Sequence, residues 1–301
     1  MKLAMIGLGR MGGNMAQRLA RRGHFISGFD PNAQTRAELA RKGLVAAASV
    51  EALVHELRPP RAIWLMIPAG QPVDDMIARL GPLLEAHDVI IDGGNSYYKD
   101  SMRRARELAQ QRIDFVDVGT SGGIWGMEEG YSLMVGGENA TVARLKPIFE
   151  TLAPAPDLGW GHVGPAGAGH FVKMVHNGIE YGLMQAYAEG FALMQKKTDF
   201  KLDLHQIAEI WRNGSVVRSW LLDLTAATLL GNPVLGDVAP FVADSGEGRW
   251  TVAEAIDLDV PAPIITLALI ARLRSRDPDS FSDKLLAALR HAFGGHDIRK
   301  E

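Results

Sequence analysis

The first half of the chain alternates short apolar runs with longer amphipathic segments. Each run has three to six residues and ends at Gly, Pro or Asp, which is typical of a buried strand and too short for a helix. The runs are Leu3–Ile6, Phe25–Phe29, Ala62–Ile67, Val89–Ile91 and Phe115–Val118, and the helical segments between them include Met11–Arg22, Val73–Glu85 and Lys99–Gln111. This alternation predicts a parallel sheet that is covered on both faces.

The pattern changes at the glycine-rich segment Gly164–Gly169. After it, apolar residues recur at helical spacing with little strand signal, and His170–Gln195 is predicted to form one long helix. Three glycines inside that helix weaken the prediction: Gly178, Gly182 and Gly190. We therefore predict an α/β domain over residues 1–165 and an all-helical domain over residues 166–301.

A glycine motif follows the first predicted strand and opens the first predicted helix. It consists of Gly7, Leu8, Gly9, Arg10, Met11 and Gly12. The first two glycines allow a tight turn and a close approach of a pyrophosphate, and the third lets the helix pack on the strand. The helix N-terminus favours the negative phosphates. In this context the motif predicts a doubly wound (Rossmann) domain that binds a dinucleotide.

Asp30 bears on the choice of dinucleotide. It ends the second predicted strand, 23 positions after Gly7, where the adenine ribose is expected. A carboxylate there accepts hydrogen bonds from the ribose 2′-hydroxyl and repels a 2′-phosphate, which favours NAD. Arg36 is close enough in sequence to leave NADP open, and a plain strand-end role for Asp30 is the structural alternative.

A polar stripe lies at the start of the long predicted helix. Lys173, His176, Asn177 and Glu180 stand at offsets of three, four and seven, so a helix places them along one side. Apolar residues cover much of the remaining circumference, so the stripe is expected to be buried on most sides. An ordinary solvated face is the alternative. Oxidation of an alcohol needs a base for the hydroxyl proton, and a desolvated lysine can act as one.

Composition excludes several classes of function. The chain has no cysteine, so it forms no disulfide, thiolate metal site or cysteine nucleophile, and no metal is expected. Its net charge of −3 argues against nucleic-acid partners, and no apolar stretch is long enough to span a membrane. The N-terminus is interpreted as a strand and not as an export signal, and we expect a cytoplasmic protein.

Four motifs resemble 6-phosphogluconate dehydrogenase of the decarboxylating type. They are the N-terminal glycine motif, DGGNSYYKD at 92–100, SGG at 121–123 and GAGHFVKMVHNGIEYG at 167–182. The wider β-hydroxyacid dehydrogenase family shares the first motif and a lysine with an asparagine four residues later, but it lacks the HNGIEYG continuation. The short chain length resembles the short form of the family.

The resemblance implies a role for each residue of the stripe. Lys173 would take the proton of the substrate 3-hydroxyl as hydride leaves for NAD or NADP, and carbon dioxide would then be lost. Glu180 would protonate the resulting enediol to give ribulose 5-phosphate. His176 and Asn177 would orient 6-phosphogluconate. Asn95 would contact both the substrate and the nicotinamide, and Ser121, Gly122 and Gly123 would form the loop on the carboxylate side of the substrate. Tyr181 would reach the substrate phosphate.

Later segments resemble the family less closely. By resemblance Arg272 would bind the substrate phosphate, and Arg290 and His296 would reach the site of a neighbouring subunit, which implies a homodimer or a larger homo-oligomer. Ordinary surface roles are the alternatives for all three. In the loop 244–251 the family's Lys and Thr are replaced by Ser245 and Glu247. A glutamate would repel a phosphate, and Arg249 could compensate.

Two other functions remain open on the residues alone. One is a β-hydroxyacid dehydrogenase that acts on a small unphosphorylated acid without decarboxylation. Glu180, Tyr181 and the arginine pair Arg272 and Arg290 disfavour it, because hydride transfer alone needs neither a second proton donor nor phosphate ligands. The other is a non-catalytic dinucleotide sensor, which the intact polar stripe disfavours.

Overall fold

A computed structural model of the chain describes residues 1–294 together with Asp297 and Arg299. Contacts divide the chain into two compact units, Met1–His176 and Asn177–Glu301, and the division lies inside one long helix. The domain boundary near residue 165 stays a prediction. Among the described residues, no helix is both long and apolar enough to cross a membrane.

The first unit contains one eight-stranded sheet with the strand order β3-β2-β1-β4-β5-β6-β7-β8. The strands are β1 Lys2–Ile6, β2 Phe25–Phe29, β3 Val45–Ala46, β4 Ala62–Leu65, β5 Val89–Asp92, β6 Asp114–Ser121, β7 Ser132–Gly137 and β8 Trp160–Gly164. This order confirms the predicted doubly wound domain. The first six strands are parallel, but β7 runs antiparallel to β6 and is parallel to β8. The predicted parallel sheet is therefore confirmed for the first six strands, and only the pairing of β6 with β7 is antiparallel.

Helices cover both faces of the sheet. They are α1 Arg10–Arg21, α2 Ala33–Arg41, α3 Val50–His55, α4 Gln71–Leu80, α5 Tyr98–Ala109, α6 Gly126–Glu129 and α7 Asn139–Leu152. Along β1, Leu3 and Met5 belong to the apolar cluster on one face, and Ala4 and Ile6 belong to the cluster on the other. This alternation explains why the strand is apolar at every position from Leu3 to Ile6, since both faces of a strand in a parallel sheet are buried.

The second unit is helical in its described part, as predicted. Its helices follow α8 Ala168–Lys196, which runs from the first unit into the second: α9 Leu204–Arg212, α10 Trp220–Gly231, α11 Glu247–Asp257, α12 Pro263–Arg274 and α13 Phe281–Gly294. The predicted long helix is confirmed and continuous over 29 residues. A Cβ at Gly178 would lie 2.7 Å from the Thr251 side chain, so close packing explains this glycine.

Arg18 of α1 joins three separate segments of the first unit. Its guanidinium donates hydrogen bonds to the carbonyl oxygens of Met127, Glu128, Thr151 and Ala153 at 2.7–3.1 Å. The side chain is 8% exposed, and burial lowers the pKa of its guanidinium. A buried cation that bonds only to carbonyl oxygens here fastens α6 and the end of α7 to α1.

We expect Arg18→Met to lower the free energy of unfolding by about 3 kcal/mol, because buried carbonyl oxygens lose a charged donor. The matched control is Arg21→Met in the same helix, whose guanidinium pairs with Glu128 at the surface. The free energy of unfolding of Arg21→Met should fall by less than about 1 kcal/mol. Urea unfolding followed by tryptophan fluorescence measures both values, and equal losses would contradict the role assigned to Arg18.

Candidate active site

The predicted cofactor and substrate loops of the first unit lie at one edge of its sheet. Strands β1, β4, β5 and β6 are parallel neighbours, so their carboxyl ends lie at the same edge. The glycine motif follows β1, the loop with Asn95 follows β5, and Ser121 ends β6. Ligands of doubly wound sheets bind at this edge. The structure thus brings these three sequence-predicted segments together.

The glycine motif has the shape that a dinucleotide needs. Gly7 has φ +90°, and a Cβ there would lie 2.2 Å from the carbonyl oxygen of Met66. A Cβ on Gly12 would lie 2.0 Å from the carbonyl oxygen of Gly7. By contrast, a Cβ on Gly9 would meet no described atom within 4 Å. The open space at Gly9 adjoins the N-terminus of α1, which suits a pyrophosphate. Leu8, Arg10 and Met11 complete this turn and the start of α1.

Asp30 is tied to the glycine motif. One oxygen of its carboxylate accepts a hydrogen bond from the backbone N–H of Leu8 at 2.9 Å, and the other accepts one from Asn32 at 2.9 Å. Arg36 donates to the carbonyl oxygen of Asp30 at 2.6 Å. These bonds fix the carboxylate beside the expected adenosine site, and they place a guanidinium at the same strand end. The geometry fits a dinucleotide with a free ribose 2′-hydroxyl.

A buried ion pair at the end of β5 holds the loop that carries Asn95. Asp92, which is fully buried, accepts hydrogen bonds from the Gly94 N–H at 3.1 Å and from the Ser96 hydroxyl at 2.7 Å. Arg104 of α5 lies 3.4 Å from the same carboxylate and 2.8 Å from Asp74. The Arg104 hydrogen bond lowers the pKa of the Asp74 carboxyl. Asn95 is exposed above this network.

The Ser121–Gly123 loop packs on a tyrosine that the sequence analysis missed. A Cβ on Gly126 would lie 2.1 Å from the ring of Tyr131, and one on Gly122 would lie 3.3 Å from it. Gly122 also has φ +130°. Tyr131 is fully buried, and this burial raises its pKa to about 12. Its ring thus supports the loop as a neutral phenol. The sequence gives no signal for this role of Tyr131 apart from its aromatic side chain.

Lys173 lies against the same sheet. A Cβ on Gly119 of β6 would lie only 2.3 Å from the Cβ of Lys173, so the helix carrying the lysine rests directly on the strand. Lys173 and His176 are both half-buried. The structure therefore places two residues of the predicted stripe in the first unit.

The remaining residues of the stripe belong to the second unit. Asn177 is buried and Glu180 is half-buried. Tyr181 is buried as well, and its hydroxyl has no hydrogen-bond partner among the described residues. The guanidinium of Arg272 lies 3.6 Å from the centre of the Tyr181 ring and donates to the carbonyl oxygen of Ala243 at 2.9 Å. The structure thus pairs the two residues that the family resemblance assigns to a phosphate.

The loop that departs from the family pattern is also in the second unit. Glu247 is 4% exposed and lies in the first turn of α11, where a negative charge is favoured. Arg249 donates to Asp244, and Arg276 lies 3.5 Å from the same carboxylate. Burial raises the pKa of the Asp244 carboxyl, but the hydrogen bonds from Arg249 and the Gly246 N–H outweigh it, so the net pKa is lowered. Arg249 was expected to offset the negative charge of Glu247, but its guanidinium is paired with Asp244 instead.

Arg290 lies on the exposed surface of α13. His296 falls outside the described residues, so its assignment stays a prediction.

Comparisons with known families match both halves of the chain. Residues 2–162 match the NAD binding domain of 6-phosphogluconate dehydrogenase, and residues 169–284 match the 6-phosphogluconate dehydrogenase C-terminal domain. A Haloferax volcanii protein named as a NAD(+)-dependent, decarboxylating 6-phosphogluconate dehydrogenase is 45% identical over 100% of this chain and 99% of its own length. A Bacillus subtilis NADP(+)-dependent relative is 38% identical over 91% of this chain, which matches only 61% of the longer protein.

Solved structures agree with the family match. The Plasmodium falciparum 6-phosphogluconate dehydrogenase, studied with NADP+ and with its substrate, superimposes with a TM-score of 0.86 at 29% identity, over 100% of this chain and 66% of that one. A Mycobacterium tuberculosis 3-hydroxyisobutyrate dehydrogenase superimposes with a TM-score of 0.72 at 23% identity, over 92% and 94% of the two chains. The second likeness shows a shared fold only.

The contrast between Gly9 and Gly12 provides a test of the cofactor site. Gly9→Ala should leave the melting temperature unchanged, because its methyl group meets open space, yet weaken NADH binding about tenfold or more by filling the pyrophosphate position. Gly12→Ala should instead lower the melting temperature, because its methyl group collides with the Gly7 carbonyl. NADH fluorescence titration and thermal unfolding measure the two effects. Unchanged NADH affinity in Gly9→Ala would contradict this site.

Proposed function

The chain belongs to the 6-phosphogluconate dehydrogenase family, and we propose that it oxidises and decarboxylates 6-phosphogluconate to ribulose 5-phosphate and carbon dioxide with reduction of NAD. The observation that carries this proposal is the continuous helix α8, which bears Lys173, His176, Asn177 and Glu180 at offsets that place them along one side. Asp30, held beside the glycine motif, favours NAD over NADP. NAD supplies the hydride acceptor.

Lys173 is the proposed base. Its neutral amine takes the proton from the 3-hydroxyl while hydride leaves carbon 3, and the ammonium then polarises the new ketone during loss of carbon dioxide. Its close packing on Gly119 of β6, two residues before Ser121, supports this role, because it places Lys173 beside the proposed substrate loop. No other amine lies on this stripe of α8.

Glu180 is the proposed acid for the final step. After carbon dioxide leaves, the enediol needs a proton on the carbon that lost it, and the carboxyl group of Glu180 supplies one. His176 and Asn177 orient the hydroxyls of the substrate between base and acid. The Ser121–Gly123 loop and Asn95 hold its carboxylate end, at the sheet edge where the dinucleotide binds.

Tyr181 and Arg272 are the proposed ligands of the substrate phosphate. Arg272 offers a planar fork of donors, and its position over the Tyr181 ring orients that fork. The buried hydroxyl of Tyr181, which has no partner among the described residues, supplies a further donor. A substrate without a phosphate would leave both groups unused, so the alternative with a small unphosphorylated acid is not adopted. The intact polar stripe of α8 disfavours the sensor.

A homodimer is the proposed assembly. Three apolar side chains are exposed along one side of α12 at intervals of three residues: Ile264 at 68%, Leu267 at 60% and Ile270 at 52%. Helix α13 exposes Phe281, Leu286 and Leu289 as well. Apolar surface of this extent is typical of an interface, and a second copy of the chain is its proposed occupant. Arg290, on α13, would then contribute to the partner's site.

Replacement of Lys173 tests the proposed base. Lys173→Ala should lower kcat with 6-phosphogluconate by roughly 10²–10⁴, the range expected for loss of a general base, while NADH binding is kept. The assay follows NADH at 340 nm together with released carbon dioxide. Lys196→Ala, at the other end of the same helix, is the matched control and should keep wild-type turnover. Turnover of Lys173→Ala within about tenfold of wild type would exclude Lys173 as the base.

Mixing two inactive variants tests whether the site is shared between subunits. After subunit exchange between Lys173→Ala and Arg290→Ala, each mixed dimer should contain one site with both residues intact, so activity should reappear. The control mixes Lys173→Ala with the double variant Lys173→Ala/Arg290→Ala and should stay inactive. If mixed dimers form without recovered activity, Arg290 does not act across the interface.

A further inference from the structure

The first turn of α8 is capped by a residue from a distant part of the chain. Asp117, fully buried in the middle of β6, accepts a hydrogen bond from the Gly167 N–H at 2.6 Å through one oxygen. Its other oxygen accepts one from the His170 N–H at 2.8 Å. A helix usually obtains such a cap from the side chain of the residue before its first turn. Gly167 stands there and has no side chain, so the strand provides the cap instead.

Glycines let the helix backbone reach this carboxylate. A Cβ on Gly169 would lie 2.5 Å from the carbonyl oxygens of both Asp117 and Met134. A Cβ on Gly136, the residue paired with Asp117 across the sheet, would lie 2.5 Å from the Asp117 carboxylate. Any larger residue at either position would force α8 away from β6 and β7.

A second buried contact fixes the rotation of this turn. The ring of His170, which is 2% exposed, lies with Nδ1 2.7 Å from the hydroxyl of Ser101 in α5. Backbone and side chain of His170 are therefore both held, the first by β6 and the second by α5. One helical turn further on, Lys173 rests on Gly119.

The anchor and the proposed catalytic groups share one face of β6. Successive residues of a strand alternate between its two faces, so Asp117, Gly119 and Ser121 point to the same side. Asp117 holds the start of α8, Gly119 lies under Lys173, and Ser121 begins the proposed substrate loop. A single rigid strand thereby sets the spacing between the substrate loop and the proposed base.

We propose that Asp117 and Gly119 are positioning residues: Asp117 fixes the start of α8 and Gly119 seats Lys173 at the distance from Ser121 that the reaction requires. Both residues are buried, so they would act through α8 and Lys173, and the proposal rests on the assignment of Lys173 as the base. Displacement of a catalytic group by about 1 Å can lower the rate about 10²-fold, so displacement of Lys173 should lower kcat measurably.

Gly119→Ala tests the seat of Lys173. The added methyl group would lie 2.3 Å from the Lys173 Cβ and 2.7 Å from the Gly169 carbonyl oxygen, so the helix must move. We expect kcat to fall about 10²-fold while KM and NADH affinity change by less than about threefold. The matched control is Gly161→Ala in β8, where an added Cβ meets no described atom within 4 Å and kcat should not change.

Asp117→Asn tests the cap with a readout other than activity. The asparagine has the same shape, but its amide group cannot accept from both N–H groups at once. Amide hydrogen exchange at His170 should be slow in the wild type and accelerate by about tenfold or more in the variant. Asp114→Asn is the matched control on the same strand, because Asp114 bonds to Thr141 and Arg144 and not to α8.

The outcomes separate this proposal from the proposed function. Unchanged kcat in Gly119→Ala, or rapid exchange of the His170 amide in the wild type, would overturn the positioning role even if 6-phosphogluconate is the substrate. The exchange measurement on the wild type decides this point even if a variant fails to fold. A wild type that does not oxidise 6-phosphogluconate would refute the proposed function, and the exchange at His170 would still decide whether Asp117 anchors the helix.

Discussion

Helix α8 meets strand β6 backbone against backbone, with a buried carboxylate bridging the two. Asp117 carries a negative charge into the sheet, and such a charge is costly unless it is satisfied. Two N–H groups at a helix N-terminus satisfy it, because that end of the helix carries partial positive charge. The same contact would be impossible without Gly119 and Gly169, since any side chain would separate the backbones. Charge and close packing thus act together to fix one turn of the helix that bears the proposed base.

Buried charged side chains also hold the loops at the sheet edge. Arg18 bonds to four carbonyl oxygens beneath the segment around α6, and the pair Asp92 and Arg104 holds the loop that presents Asn95. Removal of one partner of a buried ion pair is strongly destabilising, so the pair Asp92 and Arg104 holds the Asn95 loop in place. An exposed side chain such as Asn95 can then be held ready for a ligand without being buried itself. Ordered loops of this kind reduce the reorganisation that the reaction demands.

The second unit accommodates its departure from the family pattern. Glu247 is buried at the start of α11, where the helix favours a negative charge. Arg249 is held by Asp244 and is therefore a poor substitute for the missing lysine. Arg272, which lies over the ring of Tyr181, is the proposed phosphate ligand instead. In this chain the phosphate ligands would thus come mainly from α8 and α12.

The sequence by itself determined the doubly wound domain and the long helix α8, and it provided the proposed roles of the glycine motif, of Asp30 and of the polar stripe. Each of these follows from local periodicity or from residues close together in the chain, which spacing alone can reveal. Only the tertiary structure decided that β7 and β8 reverse direction, that Tyr131 supports the Ser121–Gly123 loop, and that Asp117 caps α8. Asp117 lies 50 residues from Gly167, and nothing in the sequence of β6 indicates which distant N–H groups its carboxylate will bind. Such contacts form only when distant segments come together in the folded chain, so no local sequence pattern predicts them.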